Sequence, residues 1–380
     1  MRRFEGRQLA DPQYDVSPDA FTDPKTGVPV GLFCDVGRPV VFWLDPGYER
    51  IQTYLNAAVS GGQARPWGVT YDGQIPFAHA GDAKPLTLFH LNLKDGRMSP
   101  LLPRLPDAMG RPWAPMRDVT FLSRDKHAIH AYLTLPLPRR DGRRVPLIAL
   151  SHAGPRVRDN WGFDTQTQFF AALGYGVLQV NYRGSLGFGR EYELNDIIEV
   201  GRRSVDDGAD GLRWTVDEGY ADPGRLVGVG GSYGGYISVA LATRYPEMLA
   251  AVVGLAGVYD WYDQVLNASY EAPLSVGGHI RYLPGVGSHG DDYREVSPVN
   301  SADQVRAPVL LVHGCEDRRV DFDQSQAMAN APRRAGKNVQ LVSDVVSIHG
   351  MPDQESRIEY FQAVAAFLLK NVPPDSAPQM

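Results

Sequence analysis

The sequence is short of cysteine. Two occur among 380 residues, Cys34 and Cys315, far apart and one in each part of the chain, so no disulfide framework is expected. Cys315 reads as a small buried or half-buried thiol, because free cysteine packs as a small hydrophobe. Long apolar runs are also lacking. None approaches the ~20 residues that cross a bilayer, so no membrane partner is expected. Met1-Arg2-Arg3 opens with positive charge, but Phe4 to Asp11 is polar and supplies no apolar signal core. A cytoplasmic location is therefore expected, although a longer precursor could be exported. Basic excess is missing too. Lys and Arg number 38 against 44 Asp and Glu, for a net charge of −6, and no basic stripe points to nucleic acid. There is no HExxH and no Cys/His cluster, so neither metal nor cofactor is expected. His127 and His130 stand three apart on a strand-like stretch, which puts them on opposite faces. After Gly228 and Gly230 the third glycine of a dinucleotide fingerprint is replaced by Tyr233. Asn267-Ala268-Ser269 matches a glycosylation sequon by pattern alone.

What is present centres on Gly230-Gly231-Ser232-Tyr233-Gly234. The apolar run Arg225 to Val229 before it reads as a buried strand, and Tyr236 to Ala242 after it as a helix. Strand, Gly-x-Ser-x-Gly, helix is the setting of a nucleophile elbow, in which a sharp turn lifts a serine hydroxyl clear of the sheet. The bland alternative is a Gly-rich strand-to-helix turn. A serine is a poor nucleophile without a base to take its proton and an acid to orient that base. Downstream, Ala307 to His313 reads as a strand, and Asp317 falls just past its carboxyl end. Asn338 to Val342 is a further strand. His349 follows in the loop before a helix from about Asp353 to Lys370. Ser232, Asp317 and His349 thus stand in the order Ser, Asp, His, each on a loop after a strand.

Four stretches make the resemblance specific: His152-Ala153-Gly154-Pro155, Asn181-Tyr182-Arg183-Gly184-Ser185, Gly230 to Gly235, and His313-Gly314 with Asp317 and Val320. With His349 they resemble, over about Pro115 to Val372, the catalytic domain of the prolyl oligopeptidase family. The acylaminoacyl-peptidase and dipeptidyl-peptidase branch is the most similar. Asp321 departs where many relatives carry proline, and Ala153 where many carry glycine. The resemblance implies an α/β-hydrolase fold with a mostly parallel, doubly covered sheet, preceded by a small all-β propeller-remnant region. It also implies that Asn181 and Arg183 brace the floor of the site. The expected division is residues 1–115, a partial propeller-like region with a Pro-rich linker, and 116–380, the peptidase domain.

The first part of the chain fits that picture. Val40 to Leu44, Gly68 to Tyr71, Leu86 to Leu91 and Val119 to Leu122 read as short strands, with Asp45-Pro46-Gly47 opening a helix through Ala58. There is room for about two blades of roughly 40–50 residues, which cannot close a ring. Truncation of a longer protein is the expectation. Phe42, Trp43, Trp67 and Phe77 would then lose partners, and association into homo-oligomers through this region follows. Pro100 to Pro115 reads as the linker.

Beyond Asp118, strands at Val119–Leu135, Val145–Leu150 and Gly176–Val180 alternate with helices at Thr165–Leu173 and Ser204–Glu218. That pattern gives a parallel sheet covered on both faces, with ligands at the carboxyl ends of its strands. Asp206, Asp207 and Asp210 read as a solvated acidic helix face, and His313 as a structural histidine. An oxyanion hole needs donors fixed in advance. The Tyr233 amide is one, as the residue after the serine. The resemblance implies a second from the Gly154 amide, with His152 either as helper or as a structural histidine of the loop. The expected activity is a serine peptidase hydrolysing short peptides through an acyl-enzyme. Alternatives are a carboxylesterase on the same residues and a catalytically silent binding module. Tyr259-Asp260-Trp261-Tyr262 supplies aromatics for a pocket in either enzyme.

Overall fold

The computed structural model describes residues 14–15, 19–23, 25–59, 62–66, 74–137, 142–198, 201–267, 290–334, 336–343 and 348–375. Expectations for Trp67, the strand at Gly68–Tyr71 and most of the sequon lie outside these residues. The chain divides into two compact units. One contains residues 1–116, 160–168 and 187–189; the other contains 117–159, 169–186 and 190–380.

The first unit holds two small antiparallel sheets. Strands β1 (Asp19–Thr22), β2 (Pro29–Val36) and β3 (Arg38–Trp43) form a three-stranded meander. Helix α1 (Pro46–Ala58) follows, capped by Asp45, whose carboxylate accepts from the amides of Gly47 and Tyr48. Strands β4 (Gln63–Pro66), β5 (Gln74–Gly81), β6 (Lys84–Asn92) and β7 (Met98–Pro103) form a four-stranded meander in that order. Alternation along β5 sends Ile75 and Phe77 inward, where they pack with Leu55, Ala64 and Leu91. Phe77 is fully buried, so the expectation that it lacks partners is corrected; its own sheet and α1 cover it. The linker expectation is corrected as well. Pro100 and Pro103 belong to β7, which is the edge of its sheet, and an edge strand tolerates residues without an N–H.

The second unit is built on eight strands: β8 (Met116–Leu122), β9 (Ala128–Thr134), β10 (Val145–Ser151), β11 (Gly176–Asn181), β12 (Ala221–Gly231), β13 (Ala251–Leu255), β14 (Val309–Val312) and β15 (Val339–Val342). Their order across the sheet is β15-β14-β13-β12-β10-β11-β9-β8. The pairs from β11 through to β15 are parallel, while β9 runs antiparallel to β11. Between strands lie α2 (Thr165–Ala172), α3 (Arg190–Ile198), α4 (Arg202–Asp217), α5 (Tyr233–Arg244), α6 (Trp261–Asn267), α7 (Gly290–Val296) and α8 (Phe322–Arg334), and α9 (Gln354–Asn371) follows β15.

Two-residue alternation divides the sheet's side chains between two cores. Leu147, Ala149, Leu178, Val180, Val252, Val309 and Leu311 pack with α4, α5 and α8. Ile148, Leu150, Val177, Val227, Val229, Val253, Leu310 and Val312 pack with Phe170 of α2 and with Tyr360, Val364, Phe367 and Leu368 of α9. This is an α/β-hydrolase sheet covered on both faces, as the resemblance implied.

Candidate active site

The site grows from the carboxyl ends of β12, β14 and β15. β12 ends at Gly231, α5 begins at Tyr233, and Ser232 alone makes the turn, with φ 56° and ψ −119°. A non-glycine residue in that region is strained, and the surroundings hold it there. The Ser232 amide donates to the Leu255 carbonyl at 2.8 Å, and its carbonyl accepts from the Tyr236 amide at 3.1 Å. Two glycines make the turn possible by close backbone approach. A Cβ on Gly230 would lie 2.3 Å from the Gly234 carbonyl oxygen, and one on Gly234 would lie 2.0 Å from the Ser151 carbonyl oxygen. The second approach also sets the Ser151–His152 turn against the start of α5.

Ser232, His349 and Asp317 are brought together in one hydrogen-bonded line. Ser232 Oγ lies 3.1 Å from His349 Nε2, and His349 Nδ1 lies 2.7 Å from Asp317 Oδ2. Because Nδ1 faces a carboxylate it carries the proton, leaving Nε2 as acceptor toward the serine hydroxyl. The Asp317 side chain is fully buried, and four donors compensate it. Oδ1 accepts from the amides of Arg319 (2.8 Å) and Val320 (3.0 Å), and Oδ2 from His349 and from His313 Nε2 (3.1 Å). Burial pushes this carboxyl up. The hydrogen bonds from His313, His349 and Val320, with the charge His349 can carry, outweigh it and hold Asp317 well below the usual carboxylate range. Glu316, its neighbour, is exposed.

The loop after β10 carries the other residues read from the sequence. His152 stacks on Tyr182 with ring centroids 4.1 Å apart. Its Nε2 lies 3.0 Å from Ser185 Oγ, which donates its own proton to the Tyr182 carbonyl; Nδ1 lies 2.6 Å from the Ala153 carbonyl oxygen and 2.9 Å from the Tyr182 hydroxyl, which donates to the His152 carbonyl. Burial lowers His152 to about 4, so the ring is neutral. Both ring nitrogens are thus engaged inside the loop, an arrangement that suits a brace more than a donor to substrate. Asn181 braces the same region by exchanging hydrogen bonds with the backbone of Asp159, at 2.7 and 3.1 Å.

Three expectations are corrected here. Asp207 and Asp210 are buried, not solvated. Asp207 accepts from the Arg183 amide and guanidinium, and Asp210 from Arg124, so two arginines from other elements neutralise the face. Tyr259 and Trp261 are fully buried in the core with α5, because the chain after β13 turns inward against it; they line no open pocket. Cys315 is exposed, since it lies in the turn that leaves β14. Sequence reasoning missed Ser325 on α8, 2.7 Å from His313 Nδ1. No local pattern marks it, because helix packing alone brings it under the β14 end.

Among the described residues no group of His, Cys, Asp and Glu could hold a metal, and no helix is long and apolar enough to cross a membrane.

Comparison with known proteins accords with this geometry. Residues 161–374, more than half of the chain, match the model of the prolyl oligopeptidase family. The chain is 28% identical over 373 residues to dipeptidyl aminopeptidase BIII of Pseudoxanthomonas mexicana, covering 95% of this chain and 53% of that protein. It is 30% identical over 254 residues to the acylamino-acid-releasing enzyme of Sus scrofa, covering 63% of this chain and 33% of that one. In fold it is similar to a puromycin-hydrolyzing peptidase of Mycobacterium tuberculosis (TM-score 0.77, 23% identity, 93% and 53% covered). It is also similar to the acylaminoacyl peptidase of Pyrococcus horikoshii (TM-score 0.72, 21% identity, 90% and 54% covered). The chain therefore spans about half the length, or less, of these relatives. With the family model matching across the elbow, the Asp317 turn and His349, the chain belongs to the prolyl oligopeptidase family.

Proposed function

We propose that this chain is a serine peptidase that hydrolyses short peptides through an acyl-enzyme. The observation that carries the reading is the line Ser232 Oγ, His349 Nε2, His349 Nδ1, Asp317 Oδ2, at 3.1 and 2.7 Å. Ser232 Oγ attacks the scissile carbonyl carbon while its proton passes to His349 Nε2. Asp317 keeps the proton on Nδ1 and stabilises the imidazolium that forms. The negative charge on the carbonyl oxygen is met by the amides of Tyr233 and Gly154, with His152 holding the Gly154 loop. Collapse breaks the C–N bond, and His349 gives its proton to the leaving amine. A water then loses a proton to His349 and attacks the ester. The carboxylate departs and Ser232 recovers its proton.

Relatives named dipeptidyl aminopeptidase and acylamino-acid-releasing enzyme favour the peptide reading. The same three residues would hydrolyse esters, and a silent member would only bind. A fluorophosphonate probe separates the silent case: an enzyme is labelled at Ser232, and a silent module is not. A paired panel of aminoacyl amides and acyl esters then decides the class. Amide turnover comparable with ester turnover supports the peptidase; ester-only turnover replaces it with an esterase.

A further inference from the structure

His313 sits just past the end of β14 with no solvent exposure, and it is not one of the three residues in the Ser232, His349, Asp317 line. Its contacts are nonetheless directed at that mechanism. Nε2 lies 3.1 Å from Asp317 Oδ2 and 3.0 Å from the Val320 carbonyl oxygen, and Nδ1 lies 2.7 Å from Ser325 Oγ. Two oxygens face Nε2, one of them a carboxylate. A lone pair there would be repelled by both, so the proton resides on Nε2. Ser325 then donates to Nδ1. The direction of every bond follows: Ser325 to His313, His313 to Asp317, and His349 to the same Asp317 oxygen.

We propose that His313, locked in one tautomer by Ser325, is a positioning residue that fixes the acceptor oxygen of Asp317 for His349. This rests on the triad reading given above. The physical need is specific. The amides of Arg319 and Val320 hold Oδ1 only, and both belong to the turn that carries Asp317 itself. Oδ2 is the oxygen that orients His349, and apart from His349 its donor is His313. His313 directly follows β14, which lies between β13 and β15, and its amide donates to the Val342 carbonyl at 3.0 Å. It therefore ties a turn carboxylate to the sheet. A hydrogen bond to a charged group is worth roughly tenfold or more in an equilibrium. Precise placement of a general base's partner is worth at least as much in rate.

The test compares His313→Leu, which removes the donor at similar volume, with His313→Gln, whose amide restores an N–H toward Oδ2. Ser325→Ala probes the tautomer lock. Three readouts are taken on the full chain: melting temperature, kcat and KM separately on an aminoacyl amide, and the low-field proton resonance of His349 Nδ1–H. The expected result is a kcat about tenfold lower or worse in His313→Leu, with KM within about twofold, and recovery of most of it in His313→Gln. Ser325→Ala should fall between them. The Nδ1–H resonance should move in His313→Leu and return in His313→Gln. Wild-type kcat in His313→Leu, or equal losses in the Leu and Gln variants, would overturn the proposal and leave His313 a packing residue. If His313→Leu does not fold, the Ser325→Ala and His313→Gln pair decides: an unshifted resonance and full kcat in Ser325→Ala overturn it. Should the wild type turn over no substrate, the triad reading fails by itself, and the resonance still shows whether His313 governs the Asp317–His349 bond.

Discussion

Gly234 and the Ser151 carbonyl oxygen approach so closely that a Cβ at position 234 would sit 2.0 Å from that oxygen. Backbone meets backbone there, so neither partner can rotate away. Gly231, one residue before the serine, has its nearest neighbours at 3.7 Å, an ordinary contact. Gly234→Ala should therefore cost more than the 1–3 kcal/mol typical of overpacking and abolish turnover. Gly231→Ala should change stability by less than about 1 kcal/mol. Thermal denaturation of both variants decides; equal effects would show that the elbow is not held by this contact.

Ser232→Ala should lose ~10⁶ in kcat while its melting temperature stays near wild type, because a turn hydroxyl adds little packing. Activity within about tenfold of wild type would remove Ser232 as the nucleophile, being far short of that loss.

Asp317→Asn should cost roughly 10⁴ in kcat, because the amide no longer favours the Nδ1–H tautomer. Retained activity in that variant would remove Asp317 as the residue that orients His349. A stability signature accompanies it. The Asp317 carboxyl is held below its unfolded value, so its contribution is present above about pH 4 and is lost as pH falls through the lower folded value. The melting-temperature gap between wild type and Asp317→Asn should shrink only below about pH 4.

Arg183 and Asp207 are exposed by only 2% and 0%, and they meet through the guanidinium and the backbone amide. Removing Arg183 strands the buried Asp207 charge, and removing Asp207 leaves the buried Arg183 with only the half-exposed Asp125. Asp207→Leu or Arg183→Met alone should destabilise by about 3–5 kcal/mol, and the double variant by clearly less than their sum. Additive losses in chemical denaturation would mean that the pair is not coupled.

Leu101 and Leu102 on the edge strand β7 are 56% and 60% exposed. Exposed apolar side chains on an open strand edge favour self-association. The full chain should therefore scatter light as an oligomer, and Leu101→Glu with Leu102→Lys should shift it toward monomer. An unchanged, monodisperse monomer before and after substitution would remove this edge as the contact.

The sequence by itself determined the doubly covered sheet and the spacing of Ser232, Asp317 and His349. Buried parallel strands read as apolar runs, and an elbow requires glycines at fixed offsets, so both leave marks that are local in the chain. The starts of two helices were also legible: Asp45 caps α1, and Asp353 caps α9 through the Ser356 amide. Only the tertiary structure decided which polar groups are buried together. Asp207 looks like a surface acid until Arg183, 24 residues away in sequence, arrives at 2.6 Å. Tyr259 and Trp261 look like pocket walls until the chain after β13 folds them into the core. The partners of His313, Asp317 and Ser325 at its two nitrogens, leave no mark in the local pattern. In each case the deciding partner lies on a separate strand, helix or turn, and the cost of burying a polar group depends on that partner. Local pattern carries periodicity and turn chemistry, whereas compensation of a buried charge is a property of the assembled sheet and its helices.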